Sequence, residues 1–284
     1  MQIKGYKGIL KKELLPIYDD QEIDSFFYII LEKLHDLKRI DLALNPETVM
    51  DGTHLKQWKN IVSDLKKQKP IQYILGETEF YGLPFFVNEN TLIPRCETEE
   101  LVDLILLNNR ITELTNPLKI LDIGTGSGCI AVSLSKNIQG SEVFAIDVSE
   151  KALATAKKNA EANKVKVGFI LKDILKTDDL GQQFDIIVSN PPYVRNLEKA
   201  EIKPNVLEYE PHLALFVEDT DALLFYRKIA ELAMKNLNAN GKLYFEINQY
   251  LGTETVELVE SFGFKNVKLI KDIYQNNRII FAEK

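Results

Sequence analysis

The chain has 284 residues, of which 45% are hydrophobic, and a formal net charge of −7 at pH 7. This length predicts one large and one small domain, and the acidic balance argues against a protein held on nucleic acid mainly by phosphate neutralisation. The two cysteines and three histidines are scattered, and there is neither a signal-peptide core nor a run of 18 or more apolar residues. We therefore expect a cytoplasmic protein without a disulfide framework, a metal site or a membrane partner.

Residues 1–70 carry the pattern of amphipathic helices. Apolar residues recur at helical spacing from Leu10 to Leu14, from Ile23 to Leu34 and around Trp58. No nucleophile, ligand cluster or glycine loop occurs here. We expect a small helical domain that recognises a partner, with a bundle that only supports the main domain as the alternative.

Residue type predicts where several helices begin. Asp19 or Asp20 is expected to cap the second helix, Asn45-Pro46-Glu47 is expected to start another, and Thr98 is expected to cap a helix that runs through Leu107. Each prediction rests on the preference of short polar side chains for the N-terminal cap.

Residues 71–90 differ in composition from residues 1–70, since they are rich in aromatic side chains and contain turns at Gly76 and Gly82. They predict a β-hairpin that links the helical domain to a second domain over residues 91–284. Arg95 lies near the start of that second domain. A surface ion pair is the ordinary role of such a residue, but this position favours a role in placing a substrate.

A glycine-rich turn follows the apolar run Ile120 to Ile123, and a helical pattern begins directly after it. Glycines let the backbone approach a ligand closely, and a helix start presents unpaired N–H groups. The spacing G-x-G-x-G, with Cys129 next, departs from the dinucleotide pattern G-x-G-x-x-G and favours an adenosyl cofactor without a pyrophosphate. The predicted cofactor-binding residues here are Asp122, Gly124, Thr125, Gly126, Ser127 and Gly128.

Two further acids are predicted to contact this cofactor. Asp147 ends a second predicted strand about 20 residues past the glycine turn, where nucleotide-binding α/β folds place a carboxylate on the ribose. A helix N-terminal acid is the alternative role of Asp147. Asp173 and Ile174 follow a third predicted strand, Val165 to Leu171, and are expected to flank the adenine ring.

The tetrapeptide Asn190-Pro191-Pro192-Tyr193, called the NPPY segment below, follows a β-branched apolar run that predicts a buried parallel strand. Asn offers an acceptor and donors, the prolines offer carbonyls without N–H groups, and Tyr offers a flat face. This combination predicts a rigid site for a planar amino group. A plain strand-ending turn is the alternative.

The remaining residues alternate between helix and strand. Residues 194–219 predict a long polar connection. Loops of this length are uncommon unless functional, so we expect this one to line the entrance for the acceptor, the molecule whose amino group binds at the NPPY segment. A helix, a strand, another helix and two closing strands follow, and the last two strands predict an antiparallel hairpin. Such alternation predicts a doubly wound, mostly parallel sheet.

Over nearly its whole length the chain resembles the peptide chain release factor N5-glutamine methyltransferase family. The resemblance rests on five segments: Pro70 to Phe80, Leu92 to Glu99, Ile120 to Gly128, Asn190 to Tyr193, and Glu210 to Leu215. It implies an α/β, Rossmann-like class I methyltransferase fold with a seven-stranded, mostly parallel sheet, plus a small N-terminal helical domain joined by a β-hairpin. Three positions depart from the family pattern: Cys96 replaces a usual proline, and Asn248 and Gln275 replace frequent glycines.

The resemblance also implies a reaction. The donor would be S-adenosyl-L-methionine, leaving S-adenosyl-L-homocysteine, and the acceptor the glutamine of the Gly-Gly-Gln motif in release factors. Asn190, Pro191 and Tyr193 would be the catalytic residues, and Pro192 and Arg95 would join them in binding the substrate, while Asn190 would also contact the cofactor. The protein would be a monomer without stable nucleic-acid binding. Two alternatives stay open: an amino-group methyltransferase acting on adenine or guanine in DNA or RNA, and a non-catalytic binding module.

Overall fold

The computed structural model of the protein describes residues 1–109 and 117–284. They form two compact units, one of Met1–Gly76 with Lys203–Tyr209 and one of Glu77–Ile202 with Glu210–Lys284. The first boundary therefore lies six residues after the expected one at residue 70, because Ile71 packs in the apolar core of the first unit. In the described part of the chain, no helix is both long and apolar enough to cross a membrane.

The helices and strands are numbered along the chain. Helices α1 to α12 are Ile3–Leu14, Asp20–His35, Arg39–Leu44, Gly52–Leu65, Ile71–Leu75, Cys96–Asn108, Cys129–Asn137, Glu150–Ala162, Pro204–Tyr209, His212–Leu215, Leu224–Asn236 and Gly252–Ser261. Strands β1 to β11 are Glu77–Phe80, Leu83–Phe86, Lys119–Ile123, Glu142–Asp147, Val167–Leu171, Phe184–Ser189, Val194–Arg195, Phe216–Val217, Leu237–Glu246, Lys265–Lys271 and Asn277–Glu283.

The first unit packs α1, α2 and α4 around the buried ring of Trp58. Asp19 caps α2 by accepting a hydrogen bond from the Glu22 N–H at 2.8 Å, as predicted. The helix start expected at Asn45 is wrong. There α3 has just ended, and Asp51 caps the next helix, α4, through the His54 N–H at 2.7 Å.

The hairpin of β1 and β2 forms within the segment where it is expected. Its strands pair antiparallel from Glu77 opposite Phe86 to Phe80 opposite Leu83. The first residues of the expected 71–90 linker are helical instead, since they form α5. The hairpin is therefore shorter than the expected linker.

Seven strands form one sheet in the described residues, in the order β10-β11-β9-β6-β3-β4-β5. The five strands β5, β4, β3, β6 and β9 run parallel, and β11 and β10 continue the sheet antiparallel. This confirms the predicted seven-stranded, mostly parallel α/β sheet. Side chains of β3 alternate between two apolar clusters, with Ile120 in one and Leu121 in the other. Both faces of the sheet are therefore buried, as a parallel sheet requires.

The strand order reverses between β3 and β6, because the chain continues from β3 to β4 on one side and reaches β6 on the other. Ligands of open α/β folds bind at the carboxyl ends of the strands beside such a switch point. The glycine turn follows β3, Asp147 ends β4, Asp173 follows β5 and the NPPY segment follows β6. The topology thus brings four predicted segments to one edge.

Residues 194–219 are not a structureless connection. They contain the short strands β7 and β8, which pair in parallel, and the helices α9 and α10. The expectation of a long loop failed because these elements are too short to show periodicity.

The two glycine replacements behave differently. Gln275 has φ +67°, so it occupies the left-handed conformation in which glycine is favoured. Asn248 has φ −63°, and its side chain accepts a hydrogen bond from the Tyr250 N–H at 2.9 Å.

Candidate active site

A cavity of about 360 Å³ opens at the carboxyl edge of the parallel strands, within the second unit. Its volume lies in the range of small-molecule and cofactor pockets. The predicted site residues on its wall are Arg95, Gly124, Thr125, Gly126, Ser127, Asp147, Asp173, Ile174, Asn190, Pro191 and Pro192. The predicted residues Asp122, Gly128 and Tyr193 are not among those that line it.

The glycine turn forms one wall of the cavity. Gly124 and Gly126 have φ of +76° and +55°, a conformation that side chains other than glycine rarely adopt. The N–H groups of Gly124 and Thr125 both donate to the Ile146 carbonyl, at 2.8 and 3.0 Å. These bonds fix the turn against the end of β4, so the backbone can face a ligand.

Gly128 supports the turn from outside the cavity. It has φ +82°, and a Cβ atom at this position would lie 3.0 Å from the Ala156 Cβ. The glycine therefore permits the close approach of α8. From the same helix, the buried Asn159 side chain donates to the Ser127 carbonyl at 2.8 Å.

Asp122 is fully buried below the turn. Its Oδ2 accepts a hydrogen bond from the Thr125 hydroxyl at 2.6 Å, while Oδ1 has no partner of good geometry among the described residues. Burial raises the pKa of the Asp122 carboxyl to about 7, against the opposing effect of the Thr125 hydrogen bond. Asp122 thus holds the glycine turn rather than lining the cavity.

Asp147 and Asp173 lie on the cavity wall with different partners. Asp147 accepts the N–H groups of Gly126 at 2.8 Å and Ser149 at 2.9 Å, and burial raises the pKa of its carboxyl against these bonds. Asp173 pairs with Lys176 at 3.0 Å, and this bond lowers the pKa of its carboxyl. Asp147 is therefore a desolvated acceptor, while Asp173 is an acceptor that is already paired with a lysine.

The NPPY segment is divided between the cavity and the core. Asn190, Pro191 and Pro192 line the cavity. The Tyr193 ring packs instead against the apolar cluster that contains Phe245, and its hydroxyl donates to Glu246 Oε1 at 3.0 Å. Burial, then the neighbouring Glu246 charge, raises the pKa of the Tyr193 hydroxyl far above its ordinary value.

Glu246 and Thr98 complete the site without having been predicted for it. Thr98 is the third residue of α6 and not its cap, because that helix begins at Cys96 with Arg95 as the capping residue. The Thr98 hydroxyl donates to Glu246 Oε2 at 2.6 Å, and the Asn190 amide Nδ2 donates to Thr98 Oγ1 at 3.3 Å. The signal for Glu246 is its place at the end of the apolar strand β9, at the same edge as Asp147.

Arg95 pairs with a buried carboxylate, which differs from the surface ion pair that is the ordinary role of such a residue. Its guanidinium pairs with Glu210, whose side chain is only 1% exposed, and Glu210 also accepts the Ile93 N–H at 3.1 Å. This carboxylate holds residues 93–95 in place, and Arg95 of this segment lines the cavity. Cys96 follows as the first residue of α6, a position where the family's proline is favoured.

Two known families match separate stretches of the chain. The "PrmC N-terminal domain" family matches residues 12–76, and the "Methyltransferase small domain" family matches residues 104–209. Among solved structures, a methyltransferase from Pyrococcus furiosus is 22% identical, with a TM-score of 0.50, covering 72% of this chain and 90% of its own. The 16S rRNA N2 G1207 methyltransferase of Thermus thermophilus is 19% identical, with a TM-score of 0.53, covering 73% and 49%. At these identities the likeness concerns the fold alone.

Curated relatives extend over almost the whole chain. A release factor glutamine methyltransferase of Flavobacterium psychrophilum is 66% identical over 281 residues, which cover 99% of this chain and 98% of the relative. One of Bacteroides thetaiotaomicron is 43% identical over 276 residues, with coverages of 97% and 98%. The chain belongs to the release factor glutamine methyltransferase family.

Proposed function

We propose that the protein transfers a methyl group from S-adenosyl-L-methionine to the side-chain amide nitrogen of the glutamine in the Gly-Gly-Gln motif of peptide chain release factors. Relatives that span nearly the full chain carry the name of this reaction. That protein acceptor is favoured over the alternative of a base in DNA or RNA.

The cavity fits the adenosyl part of the donor. Gly124 and Gly126 bring bare backbone to its wall, and Asp147 offers a half-buried carboxylate to the ribose hydroxyls. Ile174 offers an apolar contact to the adenine, and Asp173 a hydrogen-bond acceptor. When bound, S-adenosylmethionine supplies an electrophilic methyl group carried on a positively charged sulfur.

The single observation that carries the proposal is the position of Asn190. Asn190 directly follows β6 and lines the cavity beside the glycine turn, and its Oδ1 has no hydrogen-bond partner in the described part of the chain. A glutamine amide nitrogen is a poor nucleophile because its lone pair is delocalised into the carbonyl. An acceptor held at this point can take one of the two amide hydrogens.

The Pro191 carbonyl takes the second hydrogen in this mechanism. Two acceptors that hold both hydrogens favour a pyramidal nitrogen and direct its lone pair toward the donor methyl group. Orientation of this kind supplies roughly 7–11 kcal/mol of barrier reduction, more than one general base contributes. The mechanism therefore needs no dedicated catalytic base, and the nitrogen releases its proton to water after methyl transfer.

The N-terminal helical unit, expected over residues 1–70 and found over Met1–Gly76, serves in this proposal to recognise the release factor. It contains no nucleophile, ligand cluster or glycine loop, and a separate family, the PrmC N-terminal domain, matches it. Arg95 and Pro192 line the cavity and join the acceptor site in this proposal.

Methyl transfer to a purified release factor tests the proposal. The wild-type protein, incubated with radiolabelled S-adenosylmethionine, is expected to label a release factor but not its variant with alanine in place of the motif glutamine. Label on the alanine variant, or on RNA or DNA in place of the factor, would refute the assigned acceptor.

A further inference from the structure

A continuous chain of hydrogen bonds runs from the cavity into the core. It begins at the Asn190 amide, which donates from Nδ2 to Thr98 Oγ1 at 3.3 Å. Thr98 donates to Glu246 Oε2 at 2.6 Å, and Tyr193 donates to Glu246 Oε1 at 3.0 Å. Three separate elements meet here: α6, the segment after β6, and the end of β9.

The direction of each bond follows from the chemistry of its partners. An ionised carboxylate only accepts, so Glu246 commits the single hydroxyl hydrogen of Thr98 and that of Tyr193. The oxygen of Thr98 then has only lone pairs to offer. Of the two ends of the Asn190 amide, only the Nδ2 end complements a lone pair.

Glu246 is buried, and its neighbours stabilise its charged form against the cost of burial. Its residue is 1% exposed, and burial raises the pKa of its carboxyl, while the Thr98 hydrogen bond and the positive charge of Arg278 act in the opposite direction. Two hydroxyl donors on its two oxygens stabilise the carboxylate. Arg278 itself pairs with Asp272 at 3.1 Å, which keeps that guanidinium in place.

We infer that Thr98 and Glu246 are positioning residues that fix which end of the Asn190 amide faces the acceptor glutamine. This inference rests on the proposed function and extends it. With the amide turned over, Oδ1 would oppose the Thr98 oxygen with no hydrogen between them. The Nδ2 group would then present donors to an acceptor amide that itself needs acceptors.

Substitution of Thr98 is the first test. Thr98→Val keeps the shape of the side chain but removes its hydroxyl. Asn190 then loses the only side-chain hydrogen bond that it makes in the described structure. Because misplacement of about 1 Å at a reacting group costs on the order of 100-fold, we expect kcat to fall about tenfold or more. The KM values for the release factor and for S-adenosylmethionine are expected to stay within twofold, and Thr98→Ser is expected to restore kcat.

Thr255→Val is the matched control, since Thr255 is a buried helical threonine in α12 that does not line the cavity. Thermal melting of each variant shows that it folds. A kcat within twofold of wild type for folded Thr98→Val, or a Thr98→Ser protein as impaired as Thr98→Val, would overturn the inference.

The second test reverses the direction of the bonds. In Asn190→Asp, two carboxylates compete for the one Thr98 hydrogen, so kcat is expected to fall at least tenfold. Adding Glu246→Gln gives position 246 an N–H that donates to Thr98, which frees the Thr98 hydrogen for the aspartate. The double variant is then expected to be at least fivefold more active than Asn190→Asp alone.

Equal or lower activity of the double variant would contradict the inferred direction of the bonds while leaving the proposed function intact. A wild-type protein that methylates no release factor would instead refute the proposed function itself. A role of Thr98 and Glu246 in stability alone predicts no such rescue.

Discussion

Replacing Asn190 with alanine removes one of the two acceptors that the mechanism assigns to the glutamine amide. In the proposed mechanism the Pro191 carbonyl is the other, and no hydrogen bond holds Asn190 Oδ1 in the described residues. Loss of one preorganised hydrogen-bonding group at a reacting centre costs about 10²–10³-fold in kcat, or about 2.7–4 kcal/mol. We expect a fall of this size with little change in the affinity for S-adenosylmethionine.

Single-turnover methyl transfer to a release factor measures the chemical step, and isothermal titration measures cofactor affinity. Asn137→Ala is a matched control, because Asn137 is an exposed residue at the end of α7, away from the cavity wall. A methyl-transfer rate of Asn190→Ala equal to that of wild type would refute the assignment of Asn190. A loss of activity explained wholly by weaker cofactor binding would do the same.

Three further predictions concern the cofactor, the fold and pH. Asp147→Ala is expected to raise the Kd for S-adenosylmethionine about 10–150-fold, because hydrogen bonds to a charged group contribute about 1.5–3 kcal/mol. An unchanged Kd in a calorimetric titration would contradict the ribose contact. Gly128→Ala is expected to destabilise the protein by at least about 1–2 kcal/mol, because φ is +82° and the new Cβ would meet Ala156, so an unchanged thermal midpoint would count against this packing. Trp58 donates to His35 Nε2 at 3.0 Å, and burial lowers the pKa of His35 from 6.5. Since the unfolded chain then binds more protons, His35 is expected to contribute stability above pH 6.5 that is lost as the pH falls below 6.5. Denaturation followed by Trp58 fluorescence should show a smaller pH dependence of stability in His35→Gln than in wild type. An identical pH dependence would contradict the argument.

The segments that sequence could predict are those whose signals are local. Asp147 ends an apolar strand and Asn190 directly follows one, and the carboxyl ends of parallel strands share one edge of a sheet. The spacing of the glycines after β3 similarly reports a backbone conformation that a single turn requires. Neither prediction depends on the order of the strands in the sheet.

The supporting contacts depend on pairs that are distant in the chain. Thr98 and Glu246 are 148 residues apart, and Arg95 and Glu210 are 115 apart. Nothing in a local pattern connects them, so Thr98 was predicted as a helix cap and Arg95 as a substrate contact or surface pair. Tyr193 was expected to offer its face to the substrate, but local sequence does not show that its hydroxyl has a buried carboxylate to bind.

The most direct test of the mechanism is a crystal structure of the protein with a release factor and S-adenosylhomocysteine. The account predicts that the nitrogen of the motif glutamine lies about 3 Å from both Asn190 Oδ1 and the Pro191 carbonyl, with its remaining face toward the sulfur. A glutamine amide bound away from residues 190–193, or one that faces the Asn190 nitrogen, would contradict it.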